Sequence, residues 1–391
     1  MINHKILWVI LLALLPVVPL SAQTSDAEAS QRRADVSSTD RLAFDLDAVT
    51  FLRDAEFFLP YVKGYTACGF RFTPLLRYRA NARTTLRGGV MLTGVAGTEG
   101  LWKAEPVFAI DYTPRPWLTL TMGTIEGSTA HLLGEPMYDP ERWFFDYKED
   151  GLQLRTTTRR WRSDTWLNWE HFLEPWTPDQ ERFSLGSRHE WVPLGEEQDR
   201  WYLSVPFSFL GSHRGGQFST LDTCIETIFN EHLGIKAQLP VADRAVLRAD
   251  MPFYFFQNKS PEPHTAFTHG WGCHPQLTFG FSSQAAQSWW QEPLAAGHRF
   301  ELGVGYWYGH HYQSARGSYM YQSVSWFDTA FCAPERHMIT VTADYEHEFE
   351  ALTFVLDATA YYDPDCRKTD FVFGVILRLK QRFAITVGTN R

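Results

Sequence analysis

The sequence predicts an all-β fold, a transmembrane antiparallel β-barrel of about sixteen strands, plus or minus two, with short periplasmic turns and long extracellular loops. Three observations predict it. Apolar and polar residues alternate in short stretches from about Leu42 to the end of the chain. An export-type segment precedes them, and tight turns alternate with long connectors. In 352–362 one face reads Leu352, Phe354, Leu356, Ala358, Ala360 and Tyr362, and the other reads Thr353, Val355, Asp357, Thr359 and Tyr361. A strand sends successive side chains to opposite faces, so this stretch is greasy on one side and wetter on the other.

The elements follow in chain order. Residues 1–22 carry a short polar head with His4 and Lys5, an apolar run to Leu20, and the small residues Ser21 and Ala22, the pattern of a cleavable signal peptide. Residues 23–40 are polar and rich in Ser, Asp and Ala, and are expected to be a disordered lead. Residues 41–391 then read as a single barrel. Its candidate strands are 41–58, 68–80, 84–95, 104–113, 117–126, 150–158, 163–173, 181–191, 200–210, 221–238, 244–256, 269–285, 298–312, 336–346, 351–362, 369–379 and 382–389. Tight turns are expected at 81–83, 114–116, 159–162, 195–199, 240–243 and 347–350. Longer connectors fall at 96–103, 127–149, 211–220, 257–268 and 313–335. Seventeen candidates cannot close a bacterial barrel, which needs an even number. Either 41–58 stays out of the membrane or the last two, split at Lys380-Gln381, are one strand.

The 391-residue chain has 36 Lys and Arg against 45 Asp and Glu, and loss of 1–22 removes Lys5 alone, leaving a net charge of −10. That balance excludes nucleic acid as a partner. No apolar run of about eighteen residues follows residue 22, so no transmembrane helix is predicted. The 15 Trp, 16 Tyr and 29 Phe suit interfacial girdles. Five scattered cysteines fit no disulfide scaffold, although Cys332 and Cys366 could bridge two outer loops.

If the apolar faces look at lipid, the alternate residues look inward. Candidate pore-lining residues are Arg71, Arg77, Arg79 and Arg87 on early strands, and Glu170, Arg248, Asp250, Glu301 and Asp357 on later ones. Arginines grouped against acids would set a transverse field across a watery lumen, or would pair and fill a narrow one. Arg at Phe354 should impair insertion by about 2–4 kcal/mol if that position lies near the midplane, whereas Arg at Asp357 should leave folding nearly intact.

His264, His269, Cys273 and His274 cluster in sequence and His310 adjoins His311, but without the spacing of a zinc site, so no metal or cofactor is expected. Catalytic signatures such as G-x-S-x-G and H-E-x-x-H are absent, which leads to the expectation that the protein is not an enzyme.

Tyr61-Val62-Lys63-Gly64-Tyr65, Gly134-Glu135-Pro136-Met137-Tyr138-Asp139 and Trp166-Leu167-Asn168-Trp169-Glu170 are the stretches that carry a family likeness. Through them the chain resembles the porin-like outer-membrane β-barrel proteins of the Bacteroidota. The resemblance implies fold and location, and assigns no site. Asp328-Thr329-Ala330 also looks like the O-glycosylation motif of that phylum.

The leading expectation is an outer-membrane channel for passive or weakly selective passage of small solutes, in contact with outer-membrane lipid. The other is a non-conducting surface or assembly protein for secretion, capsule attachment or adhesion, with a homo-oligomer or an outer-membrane protein as partner. The long aromatic loops discriminate, since folded inward they would constrict a pore and folded outward they would present a binding surface.

Overall fold

The computed structural model describes residues 41–99, 103–172, 179–195, 200–216, 225–263, 265–283, 297–328, 330–349 and 352–385. The signal and lead, 1–40, lie outside them, as do Thr329 of the glycosylation-like motif, His264 and Cys224. The strands are β1 (Leu42–Glu56), β2 (Tyr65–Arg79), β3 (Thr84–Val95), β4 (Lys103–Arg115), β5 (Leu118–Thr124), β6 (Asp150–Thr157), β7 (Trp161–His171), β8 (Glu181–Gly195) and β9 (Tyr202–Gly215). They continue as β10 (Glu226–Ala242), β11 (Ala245–Asn258), β12 (His269–Cys273), β13 (Gln276–Ser282), β14 (Gly297–His310), β15 (Glu335–Phe349), β16 (Leu352–Asp363) and β17 (Lys368–Ile385).

Apart from β12 and β13, each strand pairs antiparallel with its chain neighbours, and β1 pairs with both β2 and β17, so the sheet closes on itself. β12 and β13 are one stave. Both pair with β11 and β14 in a register that runs unbroken across His274-Pro275, where proline has no N–H to give the ladder. The barrel therefore has sixteen staves.

This resolves the odd count. The first candidate is a membrane strand, and 369–379 joins 382–385 in β17, with 386–391 outside the described residues. Lys380 and Gln381 interrupt the apolar pattern because the strand is leaving the hydrocarbon there, at the rim beside Asp47 and Leu46 of β1. The expected 211–220 connector is shortened, since β9 runs on to Gly215. β13 ends and β14 begins on the side of the tight turns.

Facing follows the alternation. Phe300, Leu302, Val304 and Tyr306 of β14 are exposed on the outer wall, while Trp307 between them and the rim points inward and is fully buried. Phe354 faces outward as expected. It is however the third residue of β16, close to the periplasmic rim and away from the midplane.

The two longest connectors fold into the barrel. The 125–149 loop carries a short helix, α1 (Arg142–Phe145), whose Phe144 and Phe145 pack on Phe51 of β1. The 311–334 loop brings Tyr312, Met320 and Tyr321 against Met137 of the first loop and Tyr254, Trp307 and Tyr361 of the wall. Met137, Trp307 and Tyr312 have 0% exposure, so the extracellular half of the lumen is filled by a packed plug.

Candidate functional site

The predicted inward charges do face the interior, but the segregated field is not formed. Arg77 Nε donates to Asp45 Oδ2 at 2.6 Å, and Arg87 Nε donates to Asp111 Oδ2 at 2.8 Å. Arg77 and Arg87 each pair with an acid on a neighbouring strand, because burying a charge beside an opposite one costs far less than burying it alone. Among the described residues, Arg71 reaches no acid. Its guanidinium lies on the rings of Tyr147 (3.6 Å) and Trp143 (4.6 Å) of the plug and donates to the Trp143 carbonyl at 2.7 Å. Arg79 ends β2, exposed at the periplasmic rim.

The later residues behave alike. Glu170 holds Arg316 of the 311–334 loop, Arg248 pairs with Glu301, and Lys236 lies 3.5 Å from Asp250. Asp357 is taken by Arg53 of β1. That corrects the expectation for arginine at 357, which would set two guanidinium groups against each other. Cys332 and Cys366, whose pairing the sequence leaves open, are free thiols. Among the described residues, His274 is buried against Thr340 and Gln276, and His269 is exposed at a strand end, so the two do not converge.

A second constellation was not visible in the sequence. His131, in a 3-10 turn (Ser128–His131) of the plug, is fully buried with its ring stacked 3.5 Å from Trp166 at 7°. Its Nδ1 lies 2.8 Å from Asp164 Oδ2, and its Nε2 lies 3.0 Å from Glu149 Oε2. Gln153 Nε2 donates to Asp164, and Ser128 N–H and Tyr138 O–H donate to Glu149 Oε1. Alternation puts Asp164 on the inward face with Trp166, Asn168 and Glu170. No local pattern reports partners a loop away.

Burial alone would push the imidazole down, but its hydrogen bonds to Asp164 and Glu149 outweigh that and raise it. Burial would likewise raise Glu149, yet the His131 hydrogen bond and charge bring it down to about 2. With both ring nitrogens engaged by carboxylates, His131 has no free lone pair to act as a base. The group is a latch that holds the plug to β6 and β7. On the far side Glu135 accepts from Tyr361 O–H (2.7 Å) and Tyr321 O–H (3.0 Å), and burial pushes its carboxyl up to about 7.

These shifts set a pH response. Glu135, raised, favours docking most fully below its ordinary 4.5 and loses that advantage as pH climbs to about 7. His131, also raised, contributes fully below 6.5 and loses its contribution above that. Glu149, lowered, contributes fully above 4.5 and fails only as pH falls toward about 2. The plug should hold tightest near pH 4.5 and loosen as the pH rises toward 7. Amide exchange of 128–149, corrected for its intrinsic pH dependence, should rise on the order of tenfold by pH 8.5. Glu135→Gln should blunt the rise, and a flat wild-type profile would refute the latch.

Comparison with known proteins adds the family. A family model described as Lipid A 3'-O-deacylase-type matches residues 34–387. No curated protein matches the chain by sequence. Among solved structures, the chain is similar to a loop L8 deletion mutant of OmpT, an outer membrane protein of Vibrio cholerae, at 11% identity and TM-score 0.52, over 88% of this chain and 100% of that one. It is also similar to an anion-selective porin from Comamonas acidovorans, at 7% identity and TM-score 0.50, over 87% and 99%. At such identities the likeness shows the fold, a large porin-like barrel of the outer membrane. The expectation of a non-enzyme is corrected by the family match, since that family is named for an enzymatic activity. Missing signature motifs were a poor guide, because a barrel wall assembles its side chains across strands.

Proposed function

We propose that this chain, which belongs to the lipid A 3'-O-deacylase-type family, hydrolyses ester-linked acyl chains of outer-membrane lipid, in a bacterium of the Bacteroidota as its sequence resemblance implies. The observation that carries this reading is the filled lumen. Side chains from both plug loops and from opposite walls meet there with no exposure, which leaves the lipid-facing wall as the broad surface open to a substrate. A membrane-embedded barrel of this kind meets its substrate by lateral diffusion in the bilayer.

The test is mass spectrometry of lipid A and of phospholipid after incubation with the purified protein in vesicles. Loss of one acyl chain, as free fatty acid, is the expected result. Intact lipids together with a steady ionic current in a planar bilayer would replace this reading by a second one. That second reading, a channel for small solutes opened by withdrawal of the plug, is favoured by the half-solvated charges of the periplasmic half, such as Arg77 and Arg299. Their pairing with acids would make its selectivity weak.

A further inference from the structure

At the extracellular end of β12, β14 and β15 the outer wall carries rings and a carboxylate that are open to the lipid. Gly272 and Gly309 lie against the inward ring of Trp307, and Arg336 is fully buried, so Trp271, His310 and Glu335 beside them face outward. Trp271 is opposite His310 in the ladder, and His310 is opposite Glu335. This row spans two strand spacings, about 10 Å, the length of two linked sugar rings. One side-chain repeat below it Tyr308 stands opposite His337, and the Trp271 and Tyr308 ring centroids are 5.3 Å apart. Trp271 is 39% exposed and Tyr306 41%. The side chains of His310 and Glu335 are exposed as well, with His310 Nδ1 3.8 Å from Glu335 Oε1.

Trp and Tyr alone are the ordinary content of an interfacial girdle. The periplasmic ends of β14 and β15 show that case, with rings that satisfy one another. His298 stacks on His347 at 4.1 Å, its Nδ1 lies 2.8 Å from Tyr345 Oη, and His347 Nδ1 lies 3.1 Å from the Gly297 carbonyl oxygen. The extracellular end is built differently. His311 holds a φ of +54°, in the left-handed region that a non-glycine residue rarely adopts, and such strain gathers at functional sites. That turn stacks its ring on Phe267 at 4.1 Å and on His310 at 4.0 Å, so the exposed His310 is held in place from behind. His337 is held too, with Nδ1 2.6 Å from Tyr306 Oη. Rings fixed before a ligand arrives lose little freedom on binding it. The outward positions of these three strands carry no arginine or lysine, so the surface suits hydroxyl and amide groups and not phosphate.

We propose that this face is the docking surface for the acylated glucosamine headgroup of lipid A in the outer leaflet. The proposal rests on the reading of the chain as a lipid acyl hydrolase, and it names the face of the barrel and the side chains that hold the substrate. The Trp271 and Tyr308 rings offer apolar faces to the C–H face of a sugar. Glu335 accepts hydrogen bonds from sugar hydroxyls and from the amide N–H of the acylated amine. His310 and His337 each present a ring nitrogen to the remaining hydroxyls. The acyl chains then run down the apolar wall of Val304, Ile339 and Val341. Substrate reaches this face by diffusion within its own leaflet, whereas the His131 cluster is sealed inside the plug.

The test titrates the full-length protein in detergent with lipid A, with lipid A stripped of its phosphates, and with phosphatidylglycerol, and counts retained lipid by native mass spectrometry. Wild type should hold the two forms of lipid A within about threefold of each other and phosphatidylglycerol about tenfold more weakly. Trp271→Leu and Glu335→Ala should each weaken lipid A about tenfold, as loss of a central contact does, whereas His347→Leu at the periplasmic end should stay within about twofold of wild type. Gel migration before and after heating will show that the variants fold. Equal retention of phosphatidylglycerol, loss of lipid A with its phosphates, or an equal effect of His347→Leu would each overturn the docking surface. If lipid A is deacylated in vesicles while Trp271→Leu and Glu335→Ala bind as wild type does, the surface is overturned and the hydrolase reading stands. If those variants lose lipid A and no lipid sheds an acyl chain, the surface stands and the hydrolase reading falls.

Discussion

Arg53→Met is expected to destabilise the barrel by about 3–5 kcal/mol, because it leaves two carboxylates facing each other inside the wall. Arg53 Nη1 holds Asp357 of β16, and its Nε and Nη2 lie 3.0 and 2.5 Å from Glu141 Oε1 of the plug. The guanidinium is 5.0 Å from the Phe144 ring centroid, so the substitution removes the tie between α1, β1 and β16 together. Adding Asp357→Asn and Glu141→Gln should recover part of the loss by removing the unpaired charges. Urea midpoints of the detergent-folded protein measure this, and a triple variant no more stable than Arg53→Met would exclude charge burial as the cause. Gly374 stands opposite Asp357 on β17, and a Cβ there would meet both Asp357 and Arg53, so Gly374→Ala should weaken the same tie.

Val304→Arg is expected to cost about 2–4 kcal/mol, since a lipid-facing cation is dearest at mid-depth. Val304 lies midway along β14 on the exposed outer face, beside Val341 of β15. The same change at Phe354, near the rim of β16, should cost about 0–1 kcal/mol, because the guanidinium reaches interfacial water. Equal destabilisation at the two positions in a urea titration would mean that depth has been misassigned.

The contrast shows what the sequence can and cannot convey. Alternation assigned the faces of Leu352–Tyr362 correctly, because one buried side and one lipid side impose a period of two on every strand. Depth left no such mark, so Phe354 was placed too near the centre. Asp357 was readable as inward, but its partner Arg53 is 304 residues away, and nothing local announces it. The same holds for His131, whose carboxylates come from β7 and from the far end of its own loop.

The seam between β1 and β17 joins Leu42 to Ile385 and Glu56 to Phe371, the first and last described strands of the ring. Until the final stave is delivered, the nascent sheet is an unclosed ribbon with two bare margins, each a row of unpaired amides and carbonyls. One anchor of the plug is shared with the hoop, since Arg53 of β1 holds both Glu141 of the plug and Asp357 of β16. Asp370 of β17 accepts the Phe58 N–H at 2.7 Å and the Leu59 N–H at 3.2 Å, fastening the chain between β1 and β2 at the rim. Closing the hoop and seating the stopper therefore draw on the same side chains. A chain cut short before Lys368 forfeits both, and emerges as an adhesive sheet with nowhere to hide its margins.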